Sequence, residues 1–314
     1  MTSDPLPTSS AQRLTGVIPP IITPLNHDRS FDVEGLRSVV TRLVDAGVDG
    51  LFALGSTGEV AFHTSAVREQ VIREIVDTVD GRVPVLVGAV APQTAAVLEN
   101  IEQAARLGAD GVVATAPYYA ITALPEIERH FRILGDRSPL PVYAYDIPVC
   151  VHTKLDPAML VRLGADGVIA GVKDSSGDDI SFRRLVRMNR EAGSPLSLLT
   201  GHEFVVDGAY LSGADGSVPG LANVDPAGYV ALDRAARAEE WETARSVQDR
   251  LAALMEIALV ARGQNGWGAG VGAFKTALQL LGVIGSNQVP EPFEALDAAD
   301  TAAVRRILEA HGPR

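Results

Sequence analysis

The chain has 314 residues, of which 46% are hydrophobic and 21% charged, so it can bury a large core and carries too little charge for a disordered segment. Its 27 basic and 39 acidic residues leave a formal net charge of −12, and no long Lys/Arg run offsets it, which disfavours a nucleic-acid-binding surface. The one cysteine, Cys150, excludes an intrachain disulfide and a multi-cysteine metal site, and fits a cytoplasmic setting. No stretch approaches the roughly 20 apolar residues needed to span a bilayer, so no membrane association is expected.

Residues 1–13 hold prolines, serines and Asp4 with no basic start or apolar segment, so they read as a flexible tail rather than a signal peptide. After the tail, short apolar runs alternate with amphipathic stretches. The runs are 17–23, 50–54, 83–89, 111–116, 141–147, 168–173, 196–200 and 216–219. Nearly continuous apolar character is what strands covered on both faces look like, and strand–helix alternation implies a parallel sheet with right-handed crossovers. Asp32 is placed to cap a first helix, with Val39, Val40, Leu43 and Val44 at helical spacing and Gly47 as its stop. Helices are likewise expected over 64–79 and 94–107.

A short phrase recurs at the returns: AGVDG at 46–50, LGADG at 107–111 and 163–167, and SGADG at 212–216. Each is read as a helix stop followed by a new strand. Four copies and eight strands predict a closed (β/α)8 barrel over 14–238. Beyond it, apolar spacing predicts helices at 225–238, 241–261, 270–281 and 297–310, so 239–314 is expected to be a C-terminal helical extension.

In such a barrel the chemistry lies at the C-terminal strand ends. Strand six ends at Lys173, after the apolar run 168–172. A lysine placed inside a barrel loses hydration of its ammonium form, and the neutral amine is the nucleophile in Schiff-base chemistry. The plainer reading is a buried ion pair with Asp174, although adjacent strand residues point to opposite faces. Gly55-Ser56-Thr57-Gly58 after strand two is either a cradle for a small carboxylate or a tight turn with Thr57 as a helix cap. Tyr145, at the end of strand five, is either a proton relay or a buried tyrosine with a satisfied hydroxyl. His202 lies on the strand-seven end and His152 in the strand-five loop. The six histidines form no metal-ligand spacing, so neither metal nor cofactor is expected.

The order of GSTGE at 55–59, PYY at 117–119, YDIP at 145–148, GVKDSSGD at 171–178 and GADGSVPG at 213–220 resembles the dihydrodipicolinate synthase / N-acetylneuraminate lyase family of class I aldolases, over about residues 14–290. The resemblance implies that Lys173 forms an imine with pyruvate or another 2-oxo acid. It implies that Tyr145 relays protons, that Ser56 and Thr57 hold the carboxylate, and that Thr57 completes the relay. Tyr119 matches the tyrosine that family members insert into a neighbouring subunit's site, which implies a homo-oligomer, usually a dimer of dimers. Gly201, His202 and Gly220 complete the expected substrate-binding set. The family's synthases carry an arginine where this chain has Cys150, and its N-acetylneuraminate lyases carry a serine where this chain has Gly220; the sugar-acid aldolases of the family remain the nearest chemistry. The resemblance therefore implies a lyase acting on a 2-keto-3-deoxy-type acid with an aldehyde partner. The alternative is a dihydrodipicolinate synthase with altered semialdehyde recognition, and a catalytically weak 2-oxo-acid-binding regulator is a third class.

Overall fold

Eight short parallel strands form one sheet in a computed structural model that describes residues 13–262 and 267–313. They are β1 (Gly16–Val17), β2 (Leu51–Ala53), β3 (Val85–Gly88), β4 (Gly111–Thr115), β5 (Val142–Asp146), β6 (Gly171–Asp174), β7 (Ser197–Thr200) and β8 (Gly216–Ser217). Each pairs with its sequence neighbour from β2 to β8, and β8 pairs with β1. The ring closes where Pro20 bridges Phe52: the Phe52 N–H donates to Pro19 O at 2.9 Å and the Ile21 N–H to Phe52 O at 2.9 Å. The first strand is shorter than the apolar run 17–23 because Pro19 and Pro20 have no N–H to give the ladder.

The outer layer is α1 (Val33–Asp45), α2 (Ser65–Val79), α3 (Thr94–Arg106), α4 (Leu124–Arg137), α6 (Pro157–Ala165), α7 (Asp179–Glu191), α8 (Val206–Ser212) and α9 (Pro226–Arg237), with a one-turn helix α5 (Pro148–Val151) after β5. Asp32 caps α1 by accepting from the Gly35 N–H at 2.9 Å. The cap of α2 is Thr64, not Thr57.

Three of the four repeated phrases share one device. Gly47, Gly108 and Gly213 take positive φ of 85°, 85° and 106° to stop a helix. The aspartate two residues on then accepts the N–H of a neighbouring strand: Asp49 from Val17, Asp110 from Val85 and Asp215 from Leu198, each at 2.8 Å. The copy at 163–167 is out of phase. Gly164 lies inside α6 against Leu196, the left-handed glycine is Gly167, and Asp166 pairs with Arg132.

Beyond the barrel, α10 (Trp241–Met255) lies against α8 and α9, and α11 (Trp267–Leu280) and α12 (Ala298–His311) follow. Of the expected tail, residues 1–12 lie outside the described residues. Arg13 is anchored, donating to the Asp215 carboxylate at 2.7 Å and 2.9 Å and to Ser194 O at 3.0 Å. No helix among the described residues is long and apolar enough to cross a membrane.

Candidate active site

Tyr145 and Lys173 stand opposite each other in the β5–β6 register, and Asp146 and Asp174 do the same one residue on. Side-chain alternation therefore sends the first pair to one face and the second to the other. The Lys173 Nζ donates to the Tyr145 hydroxyl at 3.0 Å, and that hydroxyl lies 3.3 Å from Ser56 Oγ. Both Lys173 and Tyr145 are buried. Aromatic faces surround the ammonium position: Nζ lies 4.0 Å from the Tyr145 ring centre and 4.9 Å from that of Phe52. The lysine has no carboxylate hydrogen-bonded to it among the described residues.

Asp174 is not its partner. Asp174 Oδ1 accepts from the Ser176 N–H at 2.8 Å and hydroxyl at 2.6 Å, and Oδ2 is 3.6 Å from Lys154 Nζ. Lys154 also donates to Asp146, which is wholly buried and accepts from the Leu155 N–H at 3.1 Å. Burial pushes the Asp146 carboxyl up to about 6 and Asp174 adds to the rise, against the pull of Lys154 and the Leu155 N–H. Nothing in the sequence marked Lys154, because a cation in a loop acquires its partners only through the fold.

The turn after β2 brings Ser56 and Thr57 to the same barrel end. The hydroxyl that meets Tyr145 is that of Ser56. Thr57 lies beside Gly220, where a built Cβ would be 3.2 Å from Thr57 Oγ1 and 3.4 Å from Glu203 Oε2. Gly201 leaves room for the lysine, since a Cβ there would meet Ser175 Oγ at 2.1 Å and Lys173 Cε at 3.3 Å. His202 is half-exposed and its Nδ1 is 3.4 Å from Asp179 at the head of α7.

Glu203, next to His202, emerges as a further candidate. Its Oε1 accepts from the Leu221 N–H at 2.6 Å. Burial pushes its carboxyl up to about 7, opposed by the Leu221 N–H, the Lys173 cation and the Gly220 N–H. The residue keeps partial contact with solvent while its carboxyl group is enclosed.

A cavity of about 240 Å³ opens beside Ser56 and Tyr145. Val60, Val90, Ile147, Cys150 and Val151 line it, with Tyr118 at its side. The one-turn α5 sets Cys150 into this wall, and burial pushes its thiol up to about 11, so it is neutral near pH 7. His152 caps α5 from an exposed left-handed position at φ 57°. Tyr119 is 96% exposed with φ 72°, so within one chain it stands away from the buried lysine.

The model of the dihydrodipicolinate synthetase family matches residues 13–311. A 4-hydroxy-tetrahydrodipicolinate synthase of Methanoculleus marisnigri is 33% identical, covering 95% of this chain and 99% of its own. A probable 2-dehydro-3-deoxy-D-pentonate aldolase of Escherichia coli is 31% identical, covering 78% and 82%. Among solved structures, dihydrodipicolinate synthase from Bacteroides thetaiotaomicron superposes with a TM-score of 0.88 at 32% identity, covering 95% of this chain and 98% of its own. The Escherichia coli family member YagE, solved with pyruvate, gives 0.88 at 29% identity, covering 94% and 98%.

Proposed function

The chain belongs to the dihydrodipicolinate synthetase family, whose members are Schiff-base-forming lyases, and on that premise we propose that it is a class I aldolase cleaving or forming a 4-hydroxy-2-oxo acid through an imine on Lys173. The observation that carries this reading is a buried lysine amine held 3.0 Å from the Tyr145 hydroxyl at the C-terminal end of the barrel. A neutral Lys173 amine adds to the C2 carbonyl of the oxo acid, and the carbinolamine loses water to give the imine. Tyr145 and Ser56 are within reach to pass the protons of that dehydration. In the cleavage direction the C3–C4 bond breaks, its electron pair enters the imine as an enamine, and the C4 hydroxyl proton leaves with formation of the aldehyde. Protonation at C3 and hydrolysis then release pyruvate and the free lysine.

Ser56 and Thr57 supply hydroxyls to hold the C1 carboxylate, and Gly201, His202 and Gly220 border the space that the rest of the substrate enters. The competing reading is a dihydrodipicolinate synthase with altered semialdehyde recognition. Cys150 opposes it, because a neutral thiol is a weak donor and makes none of the charge-assisted bonds that arginine gives a carboxylate. His152 caps α5 from an exposed position and is not among the residues lining the cavity. A homo-oligomer, a dimer of dimers, goes with this reading, supported by the exposure of Tyr119 at 96% and of Ile121 at 95%. A cytoplasmic setting is supported by the single cysteine.

The test is chemical. Incubation with pyruvate followed by borohydride reduction should label Lys173, as mapped by peptide mass. Lys173→Ala should lose the label and turnover while keeping the circular dichroism of the barrel. A label on another residue, or none, would sink the proposal.

A further inference from the structure

Cleavage of a 4-hydroxy-2-oxo acid needs a group that takes the C4 hydroxyl proton. The Tyr145 hydroxyl is already shared between Lys173 Nζ at 3.0 Å and Ser56 Oγ at 3.3 Å. Glu203 is a second acid–base group at the same end of the barrel. A single turn, Glu203–Val205, carries it shortly after β7. Its backbone is pinned from the C-terminal extension. The buried Gln248 on α10 donates to Glu203 O at 3.0 Å and accepts from the Val206 N–H at 2.9 Å. Its carboxyl group is held too, with Oε1 taking the Leu221 N–H at 2.6 Å.

Enclosing a carboxylate costs stability unless a cation pairs with it. No cation is hydrogen-bonded to Glu203 among the described residues, and the charge acting on it is that of Lys173. Structure alone gives no return for this burial, and such carboxyls gather where chemistry is done. The second oxygen, Oε2, borders a gap. Gly220 has no side chain, and a Cβ there would lie 3.2 Å from Thr57 Oγ1 and 3.4 Å from Glu203 Oε2. Glycine thus leaves the space between those two oxygens open to a substrate atom. An ionised carboxylate only accepts hydrogen bonds, so a substrate hydroxyl in that space points its proton at Glu203.

Resting on the Schiff-base reading above, we infer that Glu203 is a catalytic residue of the carbon–carbon step, its Oε2 accepting the C4 hydroxyl proton in cleavage and returning a proton to the aldehyde oxygen in condensation. In cleavage the O–H pair becomes the second bond of the aldehyde carbonyl. The C3–C4 pair becomes the C2–C3 double bond of the enamine, and the C2–N double-bond pair settles on nitrogen. Glu203 leaves the step as the neutral acid. C3 then takes up one proton and Glu203 gives one up, so the sum is balanced and no oxidant or reductant takes part. Burial raises the carboxyl to about 7, so the accepting and donating forms are both present near neutrality. The titratable groups around it are Lys173 on β6 and the buried Tyr229 on α9. Burial, and then the Glu203 charge, hold Tyr229 well above the usual phenol range, so it stays a neutral hydroxyl. The other partners, Gln248 on α10 and the N–H groups of Gly220 and Leu221, carry no charge.

The experiment follows pyruvate release from 4-hydroxy-2-oxopentanoate, 2-keto-3-deoxypentonate and 2-keto-3-deoxygluconate. Borohydride trapping of pyruvate and deuterium exchange into its methyl group run on the same preparations. Those two readouts report the imine and enamine steps, in which no C4 hydroxyl takes part. Glu203→Gln still accepts from Leu221 and should trap and exchange as the parent does, while its kcat for cleavage falls about 10²–10⁴-fold. The parent's kcat should decline as pH falls through about 7, where Glu203 takes up its proton, and that limb should be absent from Glu203→Gln. Glu203→Asp keeps an ionisable group and should keep the limb at a reduced rate. Unchanged cleavage in Glu203→Gln overturns this inference alone. Parallel loss of trapping, exchange and cleavage in either variant, with the circular dichroism of the parent, also overturns it and makes Glu203 an electrostatic partner of Lys173. Failure of the parent to form an imine, or an imine without cleavage of any of the three acids, overturns both this inference and the reading beneath it.

Discussion

Glu203 shows how one carboxyl can change the pH behaviour of a site. Its group titrates near 7 because the surrounding atoms exclude water, while the Leu221 N–H and Lys173 recover only part of the loss. A carboxyl whose folded pKa lies above its unfolded value favours the folded state at low pH. That advantage is complete below about 4.5 and is lost as pH rises through about 7. Glu203→Gln keeps the shape and still accepts from Leu221, but has no charge to bury. The variant should match the parent in thermal stability at pH 5 and exceed it at pH 8 by on the order of 1–3 kcal/mol. Equal stability at both pH values would show that Glu203 is hydrated and titrates normally. The sequence displayed Lys173 and Tyr145 because each stands at the end of a strand-like apolar run, and Ser56 because it lies in a glycine-flanked turn after one. Glu203 stood in plain view in the phrase after strand seven, yet an acidic residue there reads equally as a solvated loop. Only the approach of Gly220 and Leu221 encloses it.

At the scale of elements, the strand ends that present Tyr145 and Lys173 are held from behind. Asp146 and Asp174 meet across β5 and β6 with Lys154 as their shared cation. Two buried carboxylates at opposing positions repel unless something neutralises them. Lys154→Met removes both of the influences by which Lys154 lowers the Asp146 pKa, so that group should titrate above its present value of about 6. Loss of one partner from a buried pair costs about 3–5 kcal/mol. The cost should be largest at pH 8, where Asp146 is ionised, and smaller at pH 5, where it takes up a proton. Denaturant unfolding at the two pH values measures the difference, and a cost independent of pH would remove Lys154 from this role. The alternation of strands and helices was legible because burial on both faces makes each strand a continuous apolar run. What sequence reading misplaced was phase: the phrase at 163–167 matches the other three in letters, but its first glycine is swallowed by α6. The prolines that cut β1 short act through missing donors, which hydrophobicity does not register.

At the scale of the whole molecule, the C-terminal helices reach back to the turn after β2 through the Lys275–Glu59 ion pair. Lys275 on α11 is fully buried and donates to Glu59 Oε2 at 2.6 Å and to Gln288 O at 3.0 Å. Glu59 closes the turn that carries Ser56 and Thr57: it has φ 57°, and its N–H donates to Ser56 O at 3.0 Å. Burial pushes the Glu59 carboxyl up and the Lys275 ammonium down, and their mutual attraction opposes both shifts. The same cation, after burial itself, helps to hold His63 down at about 4. The residues lie 216 positions apart, so no local pattern in the sequence announces the contact. Lys275→Met leaves Glu59 enclosed without a cation, and Glu59→Gln leaves Lys275 enclosed without an anion. Each should cost about 3–5 kcal/mol, since an uncompensated buried charge is the penalty. The double variant buries no charge and should regain at least half of the summed loss, which a double-mutant cycle by urea unfolding reads directly. Strict additivity would mean that the two groups do not interact in solution. Activity adds a second reading, because the same pair sets the backbone that presents Ser56. Measured well below its melting temperature, Lys275→Met should raise KM for the 2-oxo acid. Turnover should fall less, because Tyr145 and Lys173 stay on β5 and β6, apart from the disturbed turn.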